Sequence, residues 1–315
     1  MKNRFARIAV AATSFVCCLP FAASAAGYTN VYNNSYFSWL DQYSLTNAPN
    51  GNIASQACVP TSAVNALTYL QNVAPGYFGT NLTGTNYDSW LNTGYTLSGP
   101  SYLNTTTNGT MLYRLPYALN NYVVTNKGFS NVTFSGQFAT NNEWVSPFDR
   151  PTNVAAVNPT TAFLTNALSL GSAVMFSIEY YGTNAGHEMT LAGLKWNDAN
   201  TNGIIEFEEN AQLLFIDPLD SSTNYSAESP YATGPGKFSE GQIWYDATNS
   251  SLRLTYSQYG GDFVPYSSTN YNTQANSFID AFYAVTVPEP STGALLALSL
   301  VGLAGYLIRR GGGRR

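Results

Sequence analysis

The spacing of apolar residues predicts one leading helix and, later in the chain, a run of strands. From Pro60 onwards apolar positions recur every three or four residues, so we expect a helix over about 60–71. Proline suits the first helical turn because its missing N–H has no partner there. A second helix is predicted over 160–170, with Gly171 well placed to end it.

Strand patterns dominate the chain after this second helix. Short runs rich in branched and aromatic residues predict strands at 173–180, 186–194, 212–216, 241–245 and 252–256. A leading helix followed by mostly antiparallel sheet predicts an α+β fold with the helices segregated to one side.

The remaining pattern is less regular. Residues 27–51 predict an extended lead-in, and turn formers fill much of 75–155, which we expect to be a polar insertion over the core. Within it, 112–124 is a candidate helix and 132–134 a strand fragment. No repeat or linker divides residues 26–286, so they are predicted to form one domain.

The N-terminus has the pattern of an export signal. A basic start precedes a short apolar run and then Ala23-Ser24-Ala25, which predicts a secretory signal peptide over 1–25. The alternative, an N-terminal membrane anchor, fits less well because the run is short. Composition agrees with export: only 10% of residues are charged and the net charge is −5. No basic stripe for nucleic acid is present.

The C-terminus has three parts in order: Pro288-Glu289-Pro290, an apolar run at 293–308, and Arg309-Arg310. Residues 287–315 resemble the PEP-CTERM sorting signal of Gram-negative bacteria. The resemblance implies a membrane helix at 293–308, recognition and cleavage by an exosortase, and release or attachment at the cell surface. An ordinary C-terminal tail anchor is the alternative, and it would also place the body outside the cytoplasm.

Cysteine and histidine are scarce, with three and one in the sequence. Two of the cysteines, Cys17 and Cys18, lie in the predicted signal peptide, so the exported chain would keep Cys58 alone and no disulfide framework. Cys58 is predicted to sit just before the first turn of the leading helix, where the helix dipole favours a thiolate. The single histidine, His187, opens a predicted strand, and Asp217 follows the end of the next.

These segments resemble papain-like cysteine peptidases, particularly the bacterial branch of bacteriocin-processing, double-glycine leader peptidases. The matching stretches are Cys58-Val59-Pro60-Thr61-Ser62, Gly186-His187-Glu188-Met189-Thr190 and Ile216-Asp217-Pro218. His187 follows Cys58 by roughly 130 positions, as in papain-type pairs. The resemblance implies a papain-like fold with Cys58 as nucleophile, His187 as base and Asp217 as the group that orients it.

Adjacent antiparallel strands would bring His187 and Asp217 to one edge of the sheet. An oxyanion donor is harder to assign. The family generally places a glutamine about six positions before the cysteine, where this chain has Asn52. Gln42 is favoured, because Gln56 is too near Cys58 to turn back on it; Gln56 and Asn52 remain alternatives.

The segment 198–209 fits the EF-hand loop pattern at every diagnostic position. We expect it to bind Ca²⁺ as an isolated structural loop flanked by strands, with no organic cofactor elsewhere. A metal-free turn is the alternative. The predicted ligands are Asp198, Asn200, Asn202, the Ile204 carbonyl, Glu206 and Glu209.

The sequence therefore predicts an exported, surface-sorted cysteine endopeptidase that hydrolyses peptide bonds. The expected partners are a peptide or protein substrate, an exosortase-type enzyme, and the membrane before C-terminal processing. Two alternatives remain: a non-catalytic surface or matrix binding protein on the same fold, and a thiol acyltransferase.

Overall fold

A computed structural model describes residues 27–139, 149–180, 186–219, 238–256 and 276–287. The predicted signal peptide and the predicted membrane helix both lie outside these ranges. Within them, no helix combines the length and the apolar character that crossing a bilayer requires.

Five α-helices and nine strands make up the described fold. The helices are α1 Cys58–Val73, α2 Pro75–Phe78, α3 Tyr87–Ser98, α4 Arg114–Asn120, which continues as a π-helical turn Asn121–Asn126, and α5 Thr161–Ser169. The strands are β1 Tyr28–Val31, β2 Thr133–Phe138, β3 Val154–Ala156, β4 Ala173–Tyr180, β5 Gly186–Trp196, β6 Gln212–Ile216, β7 Ser239–Asp246, β8 Ser251–Thr255 and β9 Asn276–Thr286. Short 3₁₀ turns occupy Asn34–Tyr36, Gln42–Ser44, Ala54–Gln56 and Phe207–Glu209.

Six of the strands close into a ring. Antiparallel pairing runs in order from β5 through β6, β7 and β8 to β9, and β4 pairs with both β5 and β9. Outside the ring, β1 pairs with β5, while β2 and β3 extend the sheet from β9. The predicted α+β class with a mostly antiparallel sheet is confirmed.

The leading helix α1 packs on β5 and β4. Its interior has no glycine and is almost wholly buried, and it ends at Val73 because Pro75 disfavours helical geometry at Ala74. The predicted helix is confirmed, but its start was placed too late. Cys58 is the first helical residue rather than the residue before the first turn.

The strands of the ring follow the apolar runs closely, and β6 has the predicted bounds. Three strands were missed: β1, in the predicted extended lead-in, the short β3, and β9, the last strand of the ring. The span 75–155 contains α2 to α4 in its first part. Its second part contributes β2, which pairs with β9 and so belongs to the sheet itself.

Candidate functional site

Cys58 stands at the N-terminus of α1, against the start of β5. Two reciprocal hydrogen bonds hold these elements together: the Ser62 hydroxyl donates to the Glu188 carbonyl at 2.9 Å, and the Thr190 hydroxyl donates to the Ser62 carbonyl at 2.9 Å. Both hydroxyl-bearing residues are buried. Because the bonds lie one helical turn from Cys58, they fix its position relative to His187.

His187 and Asp217 meet at the edge where β5 begins and β6 ends. Thr190 is opposite Ile216 in the antiparallel register. The His187 Nε2 to Asp217 Oδ1 distance is 2.7 Å, and both side chains are buried. Gly186 makes this strand start possible, since a Cβ there would lie 2.6 Å from the Ile178 carbonyl oxygen.

Asp217 accepts hydrogen bonds from three directions. In addition to His187, the Tyr256 hydroxyl donates to Oδ2 at 2.6 Å and the Leu219 N–H donates to Oδ1 at 2.9 Å. Burial alone would raise the pKa of Asp217, but the charge of His187 and these hydrogen bonds outweigh it and lower the pKa. The carboxyl is therefore held ionised.

The same interactions tune Cys58 and His187. Burial opposes ionisation of both, yet Asp217 and Cys58 raise the pKa of His187 to about 10. A hydrogen bond with His187, the charge of that ring and a backbone hydrogen bond from Glu188 lower the pKa of the Cys58 thiol. The arrangement favours a thiolate next to an imidazolium, which is the reactive form of such a pair.

The three candidate oxyanion residues lie in different places. Gln42 is buried beside the Asp217 segment, where its N–H donates to the Pro218 carbonyl at 2.8 Å. Gln56 lines the cavity that contains Cys58. Asn52 is exposed, and its side chain accepts a hydrogen bond from the Ala54 N–H of its own loop at 3.1 Å.

A cavity of about 490 Å³ opens beside the thiol. It is lined by residues of β4, β5 and β9 and by residues 108–112. It is strongly acidic: Glu179, Glu188 and Asp280 line it together with Cys58 and His187, and no lysine or arginine is among its lining residues in the described part of the chain.

In the loop at 198–209, carboxylate oxygens accept hydrogen bonds from backbone N–H groups of the same loop. The Asp198 carboxylate accepts from the N–H groups of Asn202 and Gly203, at 3.1 and 2.9 Å. Glu209 accepts from the Ala199 N–H at 3.0 Å and the Trp196 Nε1–H at 2.7 Å. The loop lies between strands, as predicted: β5 ends at Trp196 and β6 begins at Gln212, and the last three residues of the loop form the 3₁₀ turn Phe207–Glu209.

The donor chemistry of this loop fits a hard cation such as Ca²⁺. Asn200 and Asn202 each donate to Glu206, which draws the three side chains together. Each carboxylate oxygen keeps lone pairs beyond the N–H bonds it accepts. In the described residues, however, no group of three or more His, Cys, Asp or Glu side chains is arranged to hold a metal ion by itself. An ion here would also depend on amide and carbonyl oxygens.

Sequence reasoning missed three features of the site. Tyr256 ends a predicted strand, but only the closed ring places its hydroxyl on Asp217. The Ser62 and Thr190 hydroxyls lie in apolar elements without a distinctive signal. Glu188 did carry a signal, because it is a charged residue directly after the sole histidine in a buried, mostly apolar strand.

Residues 286–315 match the PEP-CTERM protein-sorting motif. None of the curated proteins searched matches the chain. The PEP-CTERM match begins at the last residue of β9, so the sorting signal follows directly on the folded body.

PEP-CTERM signals mark proteins for export and for sorting to the cell surface or extracellular space, and exosortase-type enzymes recognise them. The protein is therefore exported and surface-sorted, and the predicted localisation is confirmed. The residues around Cys58 therefore lie outside the cytoplasm in the sorted protein.

Proposed function

We propose that this protein is an exported cysteine peptidase with a papain-like fold, in which Cys58, His187 and Asp217 act as a triad. The observation that carries the proposal is the contact of His187 with both partners, the Cys58 thiol and the Asp217 carboxylate. In the surrounding fold, a cysteine-bearing helix packs against a closed antiparallel ring, in the Cys, His, Asp order of that family. The thiol also faces a cavity in which a substrate could lie.

In the proposed reaction the Cys58 thiolate attacks the carbonyl carbon of the scissile peptide bond. The imidazolium of His187 gives its proton to the leaving amine, and the tetrahedral intermediate collapses to a thioester. Water, deprotonated by His187, then hydrolyses the thioester and regenerates the thiol. Asp217 keeps the ring in the required tautomer and stabilises its charged form.

The oxyanion of each tetrahedral intermediate needs donors near the helix start. The Cys58 N–H belongs to the first turn of α1, where backbone N–H groups have no partner within the helix. Gln42 stays the proposed side-chain donor. It is carried by a 3₁₀ turn that contacts α1, and its main chain is anchored to Pro218.

Labelling of Cys58 tests the proposal. An epoxysuccinyl or iodoacetamide probe should modify Cys58 at pH 6 much faster than it modifies free cysteine, whose thiol has a pKa of about 8.5. His187→Ala should reduce this rate at least about tenfold, since a loss of 1.4 kcal/mol in thiolate stabilisation already gives that factor. Labelling of the urea-unfolded proteins, which should be equal, is the control.

Peptide turnover separates the remaining classes. Cleavage of a peptide library that disappears in Cys58→Ala and His187→Ala supports the peptidase. A thiol of ordinary reactivity with no turnover would instead favour the binding protein. Transfer of the acyl group to an added amine in preference to water would favour the acyltransferase.

We also propose that the loop at 198–209 binds Ca²⁺ and braces the β5–β6 connection. The ligands would be Asp198, Asn200, Asn202, the Ile204 carbonyl, Glu206 and Glu209. Extracellular calcium sites commonly have a Kd of about 10⁻⁴–10⁻³ M.

Calcium at tenfold above Kd should stabilise the protein by about 1.4 kcal/mol. That raises Tm by about 3–5 °C, and a chelator should reverse the rise. Asp198→Asn is the matched variant, and its Tm should not respond to calcium. An unchanged Tm of the natural protein with and without calcium would contradict the proposal.

A further inference from the structure

The buried carboxyl of Glu188 is the starting point. Only 2% of the residue is exposed, and among the described residues no group gives its Oε2 a hydrogen bond. An unpartnered polar atom in the interior costs about 1–3 kcal/mol. The fold accepts this cost at a residue that lines the cavity next to Cys58.

The cavity around Glu188 contains further carboxyls, and His187 is the only cationic side chain among its lining residues in the described part of the chain. Ser177 is its cross-strand partner on β4, and the Ser177 hydroxyl hydrogen bonds with its carboxyl. Asp280 lies at the bulge where the β4–β9 register shifts between Ser177 and Ile178. A bulge inserts an extra residue into a strand and redirects its side chain. Here it adds a second carboxyl to the cavity wall, and Glu179 adds a third.

Electrostatics point in the same direction. Burial raises the pKa of Glu188, the charges of Cys58 and Asp280 raise it further, and His187 acts in the opposite sense. A positive group in the cavity would be attracted by each of these carboxyls and would complete the partners of Oε2. A negative or purely apolar group would leave Glu188 Oε2 without a hydrogen-bond donor, so the cost of burying this atom would remain.

We propose that this cavity is a specificity pocket for a basic side chain, lysine or arginine, next to the bond that Cys58 cleaves, with Glu188 as its main ligand and Asp280 in support. The inference rests on the proposed peptidase function. The volume of the cavity, about 490 Å³, lies within the range of ligand pockets. Glu188 is thus a specificity residue and takes no part in bond breaking.

A set of thiol reagents that differ only in charge tests the pocket without any need for turnover. Methanethiosulfonates with a cationic, a neutral or an anionic tail all react in the same way: the thiolate displaces methanesulfinate and forms a mixed disulfide. Labelling of Cys58 in the full chain is followed by peptide mass spectrometry, which separates it from Cys17 and Cys18. The measured quantity is the ratio of cationic to anionic labelling rates, divided by the same ratio for free cysteine.

We expect this normalised ratio to be at least about tenfold in the natural protein and to fall about tenfold in Glu188→Gln, as one charge contact of roughly 1.4 kcal/mol would give. A change in thiol reactivity would alter all three rates together and leave the ratio unchanged. Glu240→Gln is the matched control. Glu240 is an exposed residue of β7 that forms an ion pair with Lys195, and it does not line the cavity. Asp280→Asn, at a partly exposed residue, is the second variant and should show a smaller fall.

Peptide cleavage then separates this inference from the peptidase proposal. Peptides with lysine or arginine should be cut faster than those with acetyl-lysine or citrulline, and Glu188→Gln should remove that preference while cleavage of the neutral peptides continues. Cleavage without a basic preference, or a preference that Glu188→Gln leaves intact, would overturn the pocket. A cationic labelling preference without cleavage of any peptide would support the pocket and contradict the peptidase.

Discussion

Two buried carboxyls flank the Cys58–His187 pair, and the fold treats them in opposite ways. Asp217 accepts hydrogen bonds from His187, Tyr256 and Leu219, which together lower its pKa. Glu188 has a carboxyl oxygen without a hydrogen-bond donor in the described residues, and its pKa is raised. Both residues are 2% exposed, so burial alone does not explain the difference.

The difference lies in what each carboxyl has as its partner. The protein itself supplies hydrogen-bond donors to both carboxyl oxygens of Asp217, so this carboxyl is ionised before any substrate binds. Glu188 Oε2 has no hydrogen-bond donor among the described residues, so a donor has to come from a group that binds in the cavity. A preorganised group suits orientation of a catalytic ring, whereas an incomplete one suits recognition.

Replacement of Asp217 should have the largest effect. Asp217→Asn removes the charge opposite His187, and breaking a buried pair costs about 3–5 kcal/mol of unfolding free energy. Peptide turnover should fall about 10³–10⁴-fold, because the ring loses its required tautomer. Urea unfolding and kcat/KM measure the two effects.

The pH dependence gives the control for Asp217. Its pKa is lowered, so its contribution to stability is present above the unfolded value of about 3.9 and is lost as pH falls through the folded value. The stability gap between the natural protein and Asp217→Asn should therefore shrink at acid pH. A gap that does not change with pH would show that the charge is not what stabilises this side of the site.

Removal of the Tyr256 hydroxyl should have an intermediate effect. Tyr256→Phe deletes one of the three donors to Asp217 and should cost about 1.5–3 kcal/mol, the range for hydrogen bonds to charged groups. Turnover should fall less than in Asp217→Asn, since the His187 contact remains. Tyr245→Phe, at a partly buried tyrosine on the neighbouring strand β7, is the matched control. Equal losses in both tyrosine variants would contradict the view that Asp217 depends on its full set of donors.

Glu188→Gln should have the smallest effect on stability, about 1 kcal/mol or less near pH 4. A carboxyl with a raised pKa binds its proton more tightly in the folded state, so the natural protein loses stability as pH rises above the ordinary glutamate value. The variant lacks this loss and should become the more stable protein at neutral pH. Thermal unfolding across pH 4–8 tests this. If Glu188→Gln cost as much as Asp217→Asn, the contrast between the two carboxyls would be wrong.

The sequence predicted the parts of the site that lie on strongly patterned elements. The helix after Cys58 and the strands around His187 and Asp217 have clear apolar periodicity, and their order was enough to place the ends of β5 and β6 together. The prediction lacked β1 and β9: β1 pairs with a strand more than a hundred positions away, and β9 joins β8 to the distant strands β2 and β4, so the place of both in the sheet depends on long-range contacts. Ring closure in turn decides where Tyr256 and Asp280 lie, so both residues escaped notice.

The position of β9 makes closure of the ring depend on the last strand of the described fold. The ring stays open until residues 276–286 are available, and Asp280 of the cavity wall belongs to this last strand. The cavity is therefore complete only when the chain is present up to residue 286, where the sorting signal begins. One short stretch of chain thus joins the cavity to the sorting signal.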